Sequence, residues 1–160
     1  MVNQLIGGWQ WNGIFQAQGG FPNTPLAGSN TSGTGIANQS DTPDWNPDFK
    51  GPVILGTPEH WWNPKAFLIP IPGTFGNVSR GSVRGPRLVS FDASLFKKFR
   101  INERLNLQFR AEAFNLFNHT NFAHPTEINF SGNQISSSAG ALTYTATSSR
   151  QIQFALKLLF

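Results

Sequence analysis

The last ten residues, Gln151–Phe160, read QIQFALKLLF and decide the fold class. Apolar side chains occupy every second position, and the positions between them are polar or small except at Leu159. Successive side chains of a β-strand point to opposite faces, so this spacing predicts a strand with one wholly apolar face. Helical spacing would scatter the same residues around a cylinder. The segment therefore predicts a long strand that separates an apolar environment from a polar one.

Three earlier segments show the same alternation and predict three more long strands. They are Trp9–Gln18, the stretch from Val89 to Ile101 and the stretch from Arg104 to Phe117. The last stretch contains good helix formers, but its period of two over nine residues favours a strand. A short turn at Asn102 and Glu103 joins two of these strands into a hairpin. We therefore predict an all-β fold, an antiparallel meander of long strands.

Segments rich in Pro, Gly, Asn and Thr separate the strands. Residues 19-87 form a long loop, and a shorter loop runs from about Asn118 to Thr147. Within the shorter loop we expect short strands around Ile128 and from Leu142 to Ala146. Structureless loops of this length are unusual in a compact domain unless they are functional.

Three tryptophans of the long loop are candidates for ligand contacts: Trp45, Trp61 and Trp62. Exposed aromatic rings on loops can stack on sugars or peptides. The alternative is that these rings pack the loop against itself.

The composition excludes several classes of protein. Only 12% of the residues are charged, yet 13% are aromatic, which argues against both disorder and a helical bundle. The chain has no cysteine, so it has no disulfide and no cysteine-based metal or redox site. The net charge of +4 comes from few charges, and the basic residues are spread along alternating strands. We therefore expect no nucleic-acid partner.

No set of residues makes a coherent catalytic or metal site. Ser94 and Lys97 match a Ser-x-x-Lys motif, but on a strand these two side chains point to opposite faces. The spacing of His119, His124 and Glu127 fits no helical pair of histidines, and a proline interrupts the segment. We expect a protein that is not an enzyme and that binds neither a cofactor nor a metal.

Strands of about ten residues, apolar on one side and polar on the other, suit the wall of a membrane β-barrel. Three charged residues on the polar sides of neighbouring strands are expected to form a lumenal polar network: Asp92, Arg110 and Glu112. Aromatic residues near the strand ends are candidates for the two interfacial girdles: Trp9, Trp11 and Phe99 at one rim, and Phe117 and Phe122 at the other. Because such barrels keep periplasmic turns short, we place the hairpin turn and Phe160 on the periplasmic side and the long loops outside.

Several blocks of the sequence carry a specific resemblance. The blocks are Gly8–Gln10 through Gly20–Pro22, Trp62–Phe67, Gly73–Asn77, Arg84–Pro86, Phe91–Lys97, Phe109–Asn118 and Arg150–Phe160. Together they resemble the C-terminal end of the barrel in TonB-dependent outer-membrane receptors, specifically the Oar-like group with carboxypeptidase-regulatory-like N-terminal domains. The Phe109–Asn118 block and the terminal strand are the most specific parts of this resemblance.

The resemblance implies a location in the bacterial outer membrane and a parent receptor that takes up or recognises a bulky substrate. Receptors of this kind have an N-terminal plug, an energy-coupling box and a 22-stranded barrel. Residues 1-160 would be the C-terminal part of that barrel, with the plug and the remaining strands absent. The implied partners are outer-membrane lipid, the barrel assembly machinery, the remainder of the receptor and the TonB energy-coupling system.

The resemblance also implies a role for the terminal strand. Its alternating side chains look like the signal read by the assembly machinery: Phe154, Leu156, Leu158 and Phe160. The rival hypothesis is a soluble, secreted β-sandwich that binds carbohydrate through its loop tryptophans.

Overall fold

The computed structural model describes residues 6–35 and 40–160. A 3-10 helix spans Pro64–Ala66, and the described residues form no helix with the length and hydropathy of a membrane span. The strands are β1 (Trp9–Gln18), β2 (Pro22–Asn23), β3 (Asp44–Trp45), β4 (Phe67–Leu68), β5 (Val83–Arg84), β6 (Leu88–Arg100), β7 (Asn106–Phe114), β8 (Phe130–Ser131), β9 (Gln134–Ile135) and β10 (Gln151–Leu159).

The chain divides into two compact units. The strand unit comprises Met1–Gln18, Leu88–Thr120 and Thr147–Phe160, and the loop unit comprises Gly19–Arg87 and Asn121–Ala146. The long strands all belong to the strand unit, and the short strands all belong to the loop unit.

The strand unit is one four-stranded antiparallel sheet in the order β1-β6-β7-β10. The long strands are neighbours in chain order, so the predicted meander is confirmed. Between β6 and β7, the backbone N atoms of Ile101 and Asn102 both donate to Leu105 O. The side chain of Asn102 accepts from the N atoms of Arg104 and Leu105 at 2.9 and 2.8 Å, which closes the predicted hairpin.

The strand register places the alternating residues of all the long strands on two common faces. Trp11 pairs with Leu95, Leu95 pairs with Ala111, and Ala111 pairs with Phe154. Directly paired residues of antiparallel strands share a face, so these rows define an apolar face. Its members are Trp9, Trp11, Gly13, Phe15, Ala17, Val89, Phe91, Ala93, Leu95, Lys97, Phe99, Leu107, Phe109, Ala111, Ala113, Ile152, Phe154, Leu156 and Leu158.

The opposite side of the sheet, the polar face, is rich in amide, hydroxyl and charged side chains. It carries Gln10, Asn12, Gln16, Gln18, Ser90, Asp92, Ser94, Lys98, Arg100, Asn106, Gln108, Arg110, Glu112, Gln151, Gln153 and Lys157, together with a few apolar residues. Ser94 therefore lies on the polar face and Lys97 on the apolar face, as the strand pattern predicts.

The loop unit has a core of its own. The buried residues Trp62, Ala66, Phe67, Val78, Val83 and Phe130 form one cluster. Among the described residues of this unit, two-residue strands pair as β2 with β5, β3 with β4, and β8 with β9. Phe67 of β4, Val83 of β5 and Phe130 of β8 belong to the core. A segment without sequence periodicity thus packs as an ordered unit.

The short strands expected in the second loop are corrected by the structure. Ile128 forms an isolated bridge with Leu26, and Thr145 forms one with Phe122, so the stretch from Leu142 to Ala146 is not a strand. The strands of this segment are β8 and β9, which lie between those bridges in the sequence. An isolated bridge involves a single residue of each segment, so no run of alternating apolar and polar residues marks it in the sequence.

Candidate functional site

The apolar face of the strand unit is exposed. The exposed fractions of Trp11, Phe15, Phe154 and Leu156 are 64%, 67%, 69% and 69%. Aromatic rings of neighbouring strands contact each other on this face: the ring centroids of Trp11 and Phe91 are 6.4 Å apart, and those of Phe109 and Phe154 are 6.1 Å apart. An exposed apolar surface of this extent indicates an apolar surrounding, such as lipid or another protein.

Lys97 is the one charged residue on the apolar face. Its side chain is buried, and its Nζ atom donates to Gly7 O. The same ammonium group lies 4.9 Å from the Trp9 ring centroid and 5.4 Å from that of Phe99. A hydrogen bond to a carbonyl group and cation–π contacts with two rings thus stabilise the Lys97 ammonium group at the hairpin end of the sheet. Two residues of the predicted girdle, Trp9 and Phe99, flank this lysine.

At the other end of the sheet, Phe117 stacks on Phe91 with 5.6 Å between ring centroids. Phe122, the other residue predicted for the girdle at this rim, belongs to the loop unit.

The polar face contains an ion pair near its centre. Arg110 Nη2 donates to Glu112 Oε1 at 3.2 Å, and Gln153 Nε2 donates to the other carboxylate oxygen. The Arg110 guanidinium lies 4.8 Å from the ring centroid of Phe96, its cross-strand partner. Two members of the predicted polar network, Arg110 and Glu112, therefore lie together and link β7 to β10.

Asp92, the third member of the predicted network, has different partners. Its Oδ1 atom accepts from the backbone N of Asn115 at 2.8 Å and from Ser90 Oγ at 3.5 Å. The carboxylate thus stabilises the end of β7 and is not part of the ion pair. Asp92 and Glu112 nevertheless line the same shallow concavity of about 230 Å³ on this face.

The charges of the polar face are separated along the strands. Asp92 and Glu112 lie toward the loop ends of their strands, whereas Lys98 and Lys157 lie toward the hairpin end. Both lysines are in register with Gln108, one on each side of β7. Two strand spacings put them roughly 10 Å apart. The polar face therefore has an acidic half and a basic half.

The four residues of the predicted assembly signal lie at the edge of the sheet. Phe154, Leu156 and Leu158 are apolar-face residues of β10, and Phe160 follows the end of that strand. Among the described residues, the outer edge of β10 has no partner strand, and neither has the outer edge of β1. The terminal strand thus presents both a row of exposed apolar side chains and a row of backbone groups.

The loop tryptophans differ from one another, and the structure corrects the hypothesis for Trp62. Its exposed fraction is 0%, and its Nε1 atom donates to Asn129 Oδ1 at 2.9 Å, so it is a core residue with no ring face for a ligand. Trp61 packs against the same core, and its Nε1 atom donates to Arg84 O at 2.6 Å. Trp45 is 36% exposed and packs on Phe67, with 5.0 Å between ring centroids. Trp45 is therefore the most exposed of the three.

The histidines of the chain have ordinary structural partners. The phenol oxygen of Tyr144 lies 2.8 Å from His124 Nε2, and His60 Nδ1 lies 2.8 Å from Ala139 O. The backbone N of His119 donates to Asn115 Oδ1 at 3.0 Å. Within residues 6–35 and 40–160, no cluster of three or more His, Cys, Asp or Glu residues could hold a metal ion.

The carboxyl group of Asp41, in the loop unit, has a lowered pKa. The hydrogen bond from the backbone N of Ser32, 2.7 Å from Asp41 Oδ2, holds the pKa of Asp41 below its ordinary value. Burial opposes this shift, and hydrogen bonds from the Ser32 and Thr31 side chains support it. Asp41 is only 7% exposed, and its hydrogen bonds keep this buried carboxylate ionised.

Sequence reasoning missed two asparagines that fix the turn after β7. Asn115 and Asn118 have positive φ angles of 50° and 52°, a conformation that asparagine tolerates better than most residues. The Asn115 side chain donates to His119 O and Ser148 O at 3.0 and 3.1 Å. Their repetition three residues apart, in the Phe109–Asn118 block, was the signal for such a turn.

Comparison with known proteins assigns a family to most of the chain. A protein-family model described as an outer membrane beta barrel domain matches residues 1–153. Neither the comparison with curated proteins nor the comparison with solved structures found a match.

Proposed function

The chain belongs to the outer membrane beta barrel domain family, and we propose on that basis that its long strands form part of the wall of a receptor barrel. In this arrangement the apolar face contacts lipid and the polar face lines the lumen. The loop unit then lies on the extracellular side. The location that we propose is the bacterial outer membrane.

The observation that carries the proposal is the sorting of side chains by the strand register. Apart from Lys97, every residue of the apolar face is apolar or glycine, and this face is exposed. The polar face carries amides, hydroxyls and charges at the same strand positions. A barrel wall between lipid and water requires this division, with lipid-facing and lumen-facing residues alternating.

The rival β-sandwich requires a different environment for the apolar face. In a soluble sandwich this face is the shared core of two sheets and is shielded from solvent. The rings of Trp11, Phe15 and Phe154 are mostly exposed instead. Their exposure favours the membrane barrel.

The two outer edges of the sheet support a barrel wall that has more strands than these four. Unpaired backbone N–H and C=O groups cost several kcal/mol each in hydrocarbon, so only closed barrels are stable there. The outer edges of β1 and β10 have no partner among the described residues. We propose that further strands of the receptor pair with both edges.

The resemblance to Oar-like receptors supplies the finer part of the proposal. The chain would act without catalysis in a TonB-dependent receptor that takes up or recognises a bulky substrate. Its partners would be outer-membrane lipid, the rest of the receptor with its plug, and the TonB energy-coupling system. The assembly machinery would recognise the exposed row of Phe154, Leu156, Leu158 and Phe160.

Cysteine labelling on intact cells tests the proposed topology. The chain has no native cysteine, so Ser79→Cys and Glu103→Cys each introduce a single exposed thiol within it. In the full-length receptor, a membrane-impermeant maleimide should label position 79 on intact cells and position 103 only after permeabilisation. Labelling of position 103 but not position 79 on intact cells would contradict the topology.

A further inference from the structure

The loop unit contains a cleft of about 460 Å³ that no part of the proposed barrel wall uses. Three segments line it: Thr24 and Leu26; Ser40, Asp41 and Thr42; and Phe75, Val78 and Arg80. This volume lies within the range of about 300–1,000 Å³ that is typical of small-molecule sites.

Hydrogen bonds between the lining segments hold the cleft in shape. Gly81 N donates to Thr24 Oγ1 at 2.9 Å, Thr42 Oγ1 donates to Gly76 O at 3.3 Å, and Val78 N donates to Pro43 O at 3.0 Å. A Cβ atom at Gly76 would lie 1.9 Å from Thr42 O, so only glycine permits this approach of the two backbones. The cleft is therefore pre-organised and needs no ligand to form it.

Two charged groups of opposite sign face the same cleft. Asp41 is ionised, and its Oδ2 atom accepts hydrogen bonds from Ser32 N and Thr31 Oγ1. An ionised carboxylate has about four lone-pair sites, so the group can accept from a further donor. Arg80 is exposed and forms no ion pair or hydrogen bond with the described residues. The cleft thus offers an acceptor and a fork of donors.

An aromatic ring completes the lining. Phe75 is 70% exposed although it belongs to the cleft, so one face of its ring remains open to a ligand. Ser40 and Thr42 also line the cleft, but their hydroxyl groups bond within the loop unit: Ser40 Oγ accepts from Gly28 N at 2.7 Å, and Thr42 Oγ1 donates to Gly76 O. The groups left for a ligand are a carboxylate, a guanidinium and an open ring. This set matches a molecule with hydroxyls on one side and C–H groups on the other.

We propose that this cleft binds a neutral saccharide. The Phe75 ring stacks on the C–H face of the sugar, the Asp41 carboxylate accepts from one sugar hydroxyl, and Arg80 donates to a neighbouring oxygen. The loop unit would then recognise carbohydrate at this cleft and not at its tryptophans. The proposal concerns the loop unit alone and stands whatever the strand unit transports.

Saturation-transfer NMR with the full-length receptor in detergent micelles tests the proposal. Maltose is the neutral probe, and glucuronate and inorganic phosphate are the anionic probes. We expect saturation transfer from the protein to maltose, and Phe75→Ala and Arg80→Ala should each weaken maltose binding about tenfold or more. Both side chains are exposed, so neither substitution should unfold the loop unit.

Two matched substitutions separate this site from nonspecific contacts. Phe21→Ala removes another exposed phenylalanine of the loop unit that does not line the cleft, and Trp45→Ala removes the exposed tryptophan. Both should leave maltose binding unchanged. Absence of binding to the wild-type chain, equal binding by Phe75→Ala, or tighter binding of glucuronate or phosphate than of maltose would each overturn the proposal. The cysteine labels test the membrane topology and the NMR experiment tests saccharide binding, so either hypothesis can fail without the other.

Discussion

Asn118 Oδ1 accepts a hydrogen bond from the backbone N of Arg150, with 2.9 Å between the two atoms. Arg150 directly precedes β10, so this contact joins the turn after β7 to the start of the terminal strand. Asn115 makes a second such link through its bond to Ser148 O. The two asparagines therefore set where β10 begins to pair with β7.

Substitution of Asn115 should destabilise the strand unit. Asn115→Ala removes the side-chain hydrogen bonds to His119 and Ser148. It also places alanine at a φ of 50°, where its Cβ atom strains the backbone. We therefore expect the free energy of unfolding to fall by about 2–4 kcal/mol. Asn115→Gly loses the same hydrogen bonds without the backbone strain and should cost about 1 kcal/mol less. Urea unfolding in detergent micelles measures both. Equal and small effects would show that this turn does not position β10.

A charge on the apolar face should cost far more than the same charge on the polar face. Phe154→Arg places a guanidinium among apolar-face side chains near the middle of β10 and should cost about 2–4 kcal/mol in a bilayer. The neighbouring Gln153→Arg points to the polar face beside Glu112 and should be tolerated. Folding yields and unfolding free energies of the full-length receptor in lipid vesicles measure the difference. Equal losses from both substitutions would contradict the assignment of the faces.

Acid should weaken the loop unit through Asp41. Its pKa is lowered from an ordinary value near 3.8 in the folded state, so the unfolded chain binds the proton more readily. The stabilisation is complete above the ordinary pKa and is lost as the pH falls through the lower folded value. Asp41→Asn should remove this pH dependence, and Asp48→Asn, at an exposed carboxylate, should retain it. Hydrogen exchange at the Ser32 amide as a function of pH provides the measurement. A dependence that survives in Asp41→Asn would assign the effect to another group.

Truncation of Trp62 should destabilise the core of the loop unit. Trp62→Ala empties a fully buried site and leaves Asn129 Oδ1 without its indole donor, so we expect a loss of about 3–5 kcal/mol. Trp45→Ala removes a partly exposed ring and should cost about 1 kcal/mol. Thermal unfolding followed by near-ultraviolet circular dichroism compares the two. A milder effect at Trp62 than at Trp45 would contradict the core assignment.

The strands could be predicted because alternation is a local property. The pattern in Trp9–Gln18 and Gln151–Phe160 sets the strand type and the face of each residue, and antiparallel pairing of neighbouring strands preserves that sorting. The alternation also assigns Lys97 to the apolar face, although its side chain is charged. Its burial depends on Trp9 and Gly7, which are distant in sequence, and no local pattern contains that information.

The loop unit could not be predicted in the same way. Its strands are two residues long, too short for a period to appear, and its core joins Trp62 to Phe130 across a long stretch of sequence. The three loop tryptophans look alike in sequence, but only the fold distinguishes the buried Trp62 from the exposed Trp45. The cleft at Asp41, Phe75 and Arg80 likewise exists only once its segments are packed.

Spin-label accessibility along β10 tests the central claim most directly. This chain has no cysteine, so single cysteines at positions 151 to 158 can be placed in the full-length receptor once any cysteine outside this chain is replaced. Each cysteine then carries a nitroxide label in the receptor reconstituted in lipid bilayers. We predict high accessibility to oxygen, which concentrates in lipid, at Ile152, Phe154, Leu156 and Leu158, and high accessibility to a water-soluble nickel chelate at Gln151, Gln153, Ala155 and Lys157. If the first group is inaccessible to both reagents, or if both groups contact water equally, β10 is not part of a lipid-facing barrel wall.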